Sequence, residues 1–121
     1  MIRGLRTVIY HVTDLHKAKA WYSAVLGKEP YFDQPFYVGY NVGGYELGLD
    51  PAEKPVITGT NVVAYWAVDN AQEAYQFLLS KGGVTDEEVS DVGGGILVGT
   101  VKDPFGNIFG IIENSHFKIE E

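Results

Sequence analysis

The histidine at position 11 and the glutamate at position 46 are the two side chains best suited by type and setting to do chemistry together. A carboxylate can take a substrate proton as general base while an imidazole polarises the reacting bond. Both lie in strand-like segments, so the face each occupies follows from alternation. Residues 5–12, LRTVIYHV, divide into Arg6/Val8/Tyr10/Val12 and Thr7/Ile9/His11. Segments FYVGYNV and YELGLD flank Gly43-Gly44, a turn suited to a tight hairpin. Pairing Val42 with Tyr45 sets Asn41 opposite Glu46, Gly39 opposite Gly48 and Tyr37 opposite Asp50, all on one face. The other face, with Val38, Tyr40, Leu47 and Leu49, is apolar and predicts packing on a helix.

Other chemistry-bearing residues have plainer readings. His16 falls on the polar side of a helical pattern and His116 in the tail SHFKIEE, so both are expected at the surface. Asp14 and Asp69 each precede a helical pattern and read as caps. Gly93-Gly94-Gly95 precedes a strand rather than a helix, so no helix N-terminus follows it to hold a phosphate. No cysteine is present, which removes disulfides, thiol catalysis and thiolate metal ligation.

The elements that must position these residues occur twice. After the first strand, Asp14 opens a helix with Leu15, Ala18, Tyr22, Val25 and Leu26 at helical spacing, and Gly27 closes it. Beyond a proline-containing connection at 51–60, strand NVVAYWAV at 61–68 and helix DNAQEAYQFLLSKGG repeat the pattern. A shift of 56 residues lays Val12 on Val68 and Ala18 on Ala74. The acidic, glycine-rich 86–95 predicts a mobile loop before strand ILVGTV. The DPFGN turn pairs Lys102 with Ile108, and hence Thr100 with Gly110. A glycine inside that last strand marks a bulge, a close backbone approach or space for a ligand.

A chain of 121 residues with 45% apolar content suits one domain with a real core. A formal charge of −7 argues against nucleic acid, and no run reaches membrane-spanning length. Composition therefore predicts a soluble cytoplasmic protein whose partner is neutral or cationic.

The duplicated strand-helix-strand-strand-strand pattern, with VTDLHKAKAWYSAVLG early and VKDPFGNIFGIIE late, resembles the vicinal oxygen chelate superfamily of glyoxalases, extradiol dioxygenases, fosfomycin resistance enzymes and bleomycin-resistance binding proteins. The resemblance implies an α+β fold of two tandem βαβββ modules, about 5–50 and 61–114 of a single domain spanning 1–121, with curved sheets around a cavity. Metal-dependent members of that family hold a divalent ion with His, Gln or Glu from both halves. Matching motifs places the four ligand positions at Thr7, Glu46, Val63 and Gly110, three of which carry no ordinary ligand, so no metal or other cofactor is expected. Gly110 then reads as vacated ligand space.

The implied cavity is lined in the first half by Thr7, Ile9, His11, Tyr37, Asn41 and Glu46, and in the second by Val63, Tyr65, Thr100 and Gly110. The function that follows is metal-independent binding of a small cationic or aromatic molecule, in a homodimer. The alternative is a lyase or isomerase of glyoxalase type, either with shifted metal ligands or with Glu46 as base and His11 as polarising group. Each residue also has a structural reading: a solvated carboxylate for Glu46, a hydrogen-bonding strand histidine for His11, core or dimer packing for Tyr37 and Tyr65.

Overall fold

Glycine, proline and capping residues divide the chain where its hydrophobic period changes, and the computed structural model, which describes residues 1–117, follows those divisions closely. Two compact units form, Met1–Ile57 and Thr58–Glu121, and their boundary falls inside the expected 51–60 connection.

In the first unit β1 (Thr7–Val12) leads through α1 (Leu15–Leu26) to β2 (Phe32–Gln34), β3 (Tyr37–Val42) and β4 (Tyr45–Pro51). The sheet order is β1-β4-β3-β2, with β1 parallel to β4 and the remaining pairs antiparallel. The Asp14 side chain accepts the Lys17 amide at the helix start, and Gly27 closes the helix in the left-handed region at φ 67°. Gly43 and Gly44 both take positive φ, as a two-residue turn of this hand requires. The hairpin has the expected register, Val42 on Tyr45 and Gly39 on Gly48. Ala18 and Tyr22 of α1 are fully buried with Val12, Tyr40, Leu47 and Leu49 on the apolar sheet face. Buried Tyr40 keeps its hydroxyl satisfied, donating to the Lys19 carbonyl at 3.0 Å and lying 2.9 Å from Ser23 Oγ.

The second unit repeats the plan with β5 (Tyr65–Ala67), α2 (Ala71–Ser80), β6 (Val84–Asp91), β7 (Leu97–Lys102) and β8 (Ile108–Glu113), in sheet order β5-β8-β7-β6. Its core gathers Tyr75 and Leu78 of α2 with Val101, Phe109 and Ile111. The DPFGN turn is organised by Asp103, which is 2% exposed. Its carboxylate accepts the amides of Phe105 and Asn107 at 2.8 Å each and Asn107 Nδ2 at 3.1 Å. That motif is therefore a structural lock on the β7–β8 register, which sets Lys102 on Ile108 and Thr100 on Gly110 as expected.

Three expectations are corrected. The acidic stretch expected as a loop at 86–95 is mostly strand β6, paired with β7 and broken by register shifts between Thr85 and Glu87 and between Glu87 and Ser90. The strand expected at 61–68 contracts to Tyr65–Ala67, a short edge with a partner on one side. The cap of α2 is Asn70, whose side chain accepts the Glu73 amide, rather than Asp69. Of the tail expected at the surface, residues 118–121 lie outside the described residues.

Candidate functional site

Parallel pairing of β1 with β4 sets Thr7 directly opposite Glu46. Residues opposed in register share a face, so the Thr7 hydroxyl reaches the carboxylate and donates to Glu46 Oε1 at 3.0 Å. Tyr31, just before β2, donates its hydroxyl to Glu46 Oε2. The Tyr31 bond, helped by the Thr7 bond and the neighbouring Tyr37 hydroxyl and opposed in part by desolvation, holds the Glu46 carboxyl below its ordinary value. Tyr31 is raised in turn, chiefly by the same bond. Burial, followed by the charge of Glu46, pushes Tyr37 up to about 12.

These shifts define a window of pH. A carboxyl whose folded value is depressed stabilises the fold fully above its unfolded value near 4.5, and that contribution is lost as pH falls through the folded value. A tyrosine raised from 10.0 to about 12 contributes fully below 10.0 and loses its contribution as pH rises toward about 12. In denaturant titrations, the stability difference between wild type and Glu46→Gln is expected to stay level through neutral pH and shrink on acidification. Tyrosinate absorbance should show a late component that Tyr37→Phe diminishes, the rest coming from other raised tyrosines such as Tyr31. A difference that stays constant down the acid limb contradicts this account of Glu46.

The remaining first-unit candidates share the face but not the chemistry. Ile9 and His11 are exposed, and His11 Nδ1 lies 3.6 Å from Asp50 Oδ2. The expected His11–Glu46 couple is not assembled. The register pairs His11 with Asp50 and Thr7 with Glu46, four residues apart along each strand, or roughly 13 Å. Asn41 spends its side-chain oxygen on the hairpin turn, accepting the Gly44 amide at 2.9 Å.

In the second unit Tyr65, Gly110 and Thr100 lie side by side on β5, β8 and β7, while Val63 precedes β5. Thr100 is buried, donates its hydroxyl to Asp86 Oδ2 at 2.8 Å and accepts the Glu87 amide at 3.2 Å, so it braces the irregular β6 edge. The space beside Gly110 is not vacant. A Cβ added there would lie 2.7 Å from the Ala64 carbonyl oxygen and 2.7 Å from Tyr65 Cδ1. Gly110 is thus the close approach of a backbone and a ring, and its reading as vacated ligand space is corrected.

Gly48 repeats the arrangement in the first unit. An added Cβ would lie 2.0 Å from Tyr37 Oη and 2.6 Å from its Cζ. The 56-residue shift carries Ile9 to Tyr65; Ile9 pairs with Gly48 and Tyr65 with Gly110. By duplication, then, the counterpart of Gly110 is Gly48. Glu46 stands two residues earlier, opposite Thr7, and its placement as the second ligand position is corrected accordingly. Tyr31 went unassigned in the sequence. Its signal is the Pro35-Phe36 turn, which folds β2 back on β3 and lets the Tyr31 amide donate to the Gly39 carbonyl at 2.9 Å.

The profile of the Glyoxalase/Bleomycin resistance protein/Dioxygenase superfamily matches residues 4–111. Among solved structures, a glyoxalase-related enzyme from Fulvimarina pelagi superimposes with a TM-score of 0.81 at 21% identity, covering 98% of this chain and 94% of its own. The genomically encoded fosfomycin resistance protein FosX of Listeria monocytogenes gives 0.79 at 16% identity, covering 96% and 97%. A glyoxalase/bleomycin resistance protein from Albidiferax ferrireducens gives 0.75 at 22%, covering 91% and 98%. At these identities the likeness is one of fold. No curated protein matches the sequence.

Proposed function

Because the chain belongs to the Glyoxalase/Bleomycin resistance protein/Dioxygenase superfamily, we propose that it is a metal-independent binding protein for a small cationic or aromatic molecule, acting as a cytoplasmic homodimer. The observation that carries this reading is the pair of glycines under tyrosine rings. Gly48 beneath Tyr37 and Gly110 beneath Tyr65 occupy equivalent places in the two halves, and neither leaves room for a ligating side chain. The family positions at Thr7 and Val63 carry a neutral hydroxyl engaged with Glu46 and an aliphatic side chain. These residues do not fit a divalent ion, which needs several His or carboxylate groups converging.

The enzyme alternative with Glu46 as general base draws less support. A carboxylate held below its ordinary value, chiefly by the Tyr31 hydroxyl, is a weaker base, whereas catalytic carboxylates are tuned upward toward the working pH. Net charge of −7 and exposed aromatic side chains beside Glu46 favour a cationic ligand.

Elemental analysis after purification with added zinc, nickel and manganese, paired with native mass spectrometry, tests the reading. The expected result is no stoichiometric metal, a retained or added small ligand, and a dimer mass. One tightly held ion per chain that Glu46→Ala abolishes overturns metal independence. Failure to retain or bind any small molecule overturns the binding function.

A further inference from the structure

Gly39 forms a bare floor on which several groups of the first unit meet. A Cβ placed there would lie 2.7 Å from Glu46 Oε2, 3.1 Å from Tyr31 Cε1 and 3.3 Å from Tyr37 Cε2. Phe32 is the strand partner of Gly39 across β2 and β3. Its ring centroid is 6.4 Å from that of Tyr31, 6.1 Å from Tyr37 and 6.0 Å from Phe36. Tyr31 is 65% exposed, Phe36 66% and Phe32 37%. Adjacent large aromatics left open to water around one carboxylate form a surface that is apolar at its walls and anionic at its centre.

The hydroxyls decide which cation suits it. A carboxylate offers roughly four lone-pair positions, and Thr7 and Tyr31 each engage one, so that both oxygens already accept a hydroxyl. The negative charge remains, while each oxygen has part of its accepting capacity taken. A primary amine, with three N–H donors to satisfy, would compete with those hydroxyls for the same two oxygens. A cation without N–H groups needs only the charge and the ring surfaces, which attract it through their quadrupoles.

We infer that this face of the first unit receives a quaternary ammonium group, with Glu46 as its counter-ion and Tyr31, Phe32 and Tyr37 as its aromatic walls. The inference rests on the small-molecule reading above and specifies the head group of the ligand.

Three soluble probes of similar shape separate the contributions: choline, ethanolamine, and the neutral choline isostere in which tert-butyl replaces trimethylammonium. Binding is followed by amide chemical shifts of the full chain. Choline is expected to bind about tenfold more tightly than either other probe, a difference of about 1.4 kcal/mol. Glu46→Gln should erase the preference of choline over the isostere. Phe32→Leu, at a half-exposed position that tolerates the change, should weaken choline several-fold and serves if Glu46→Gln does not fold. Ethanolamine binding as well as choline, or choline affinity unchanged in Glu46→Gln or Phe32→Leu, overturns the inference. If none of the three binds while another small molecule does, the head-group assignment falls and the binding function stands. If no small molecule binds at all, the function itself falls.

Discussion

Replacing Gly110 with leucine is expected to destabilise the second unit by about 1–3 kcal/mol, lowering the melting temperature by roughly 5–15 °C. Leucine is the better strand residue, so propensity alone predicts a gain. Packing decides otherwise. The new Cβ would meet the Ala64 carbonyl and the Tyr65 ring at 2.7 Å each. The ring can swing away because Tyr65 is 44% exposed, but the carbonyl belongs to the backbone and accepts the Gly110 amide at 3.0 Å. Relief therefore requires β5 to shift against β8, and β5 has only three residues with which to hold its place. Thermal melts of Gly110→Leu and Gly110→Ala, each with and without Tyr65→Ala, separate the two obstacles. If removing the ring restores wild-type stability, the backbone contact is not the cause.

Asp103→Ala is expected to cost about 1–3 kcal/mol in all, because it removes the buried carboxylate that accepts two part-buried backbone amides. The amides of Phe105 and Asn107 both depend on that carboxylate, and the Asn107 side chain does too. Asp103→Asn keeps one acceptor oxygen and should recover part of the loss. Equilibrium denaturation of both variants provides the measurement. Equal stability of the alanine variant and wild type would show that the turn is held by its backbone alone.

What the sequence made legible follows from where its punctuation is strong. The Gly43-Gly44 turn and the DPFGN turn each pin a hairpin, so the registers Gly39–Gly48 and Thr100–Gly110 could be worked out residue by residue. The face shared by Thr7, Ile9, His11 and Glu46 followed from the same alternation. Strand β6 was hidden because an edge strand exposed along nearly its whole length carries no apolar alternation, and DEEVSD reads by composition as loop. The His11–Glu46 couple failed for a different reason. Alternation fixes the face of each strand but not the register of a parallel pair separated by a helix and two further strands, and a four-residue offset separates groups that the faces alone would unite. Tyr31 belongs to no predicted element, and only the β2–β3 pairing brings its hydroxyl onto Glu46. The role of Gly110 depended on how closely the Ala64 carbonyl and the Tyr65 ring approach it, and a strand pattern carries no information about either.

The parallel β1–β4 pairing also fixes an order of events during folding. The hairpin of β3 and β4 closes locally around two glycines, and such hairpins form within microseconds. Thr7 lies 39 residues from Glu46, so β1 can join only after a long segment containing α1 has been brought back across the sheet. Glu46 therefore spends the early stages of folding on a solvated hairpin and gains its threonine partner only when β1 joins, with the most sequence-distant strand pairing of its unit. Protection of the Thr7–Glu46 region should thus appear late, after the hairpin has formed, making the carboxylate a reporter of when the first unit is complete.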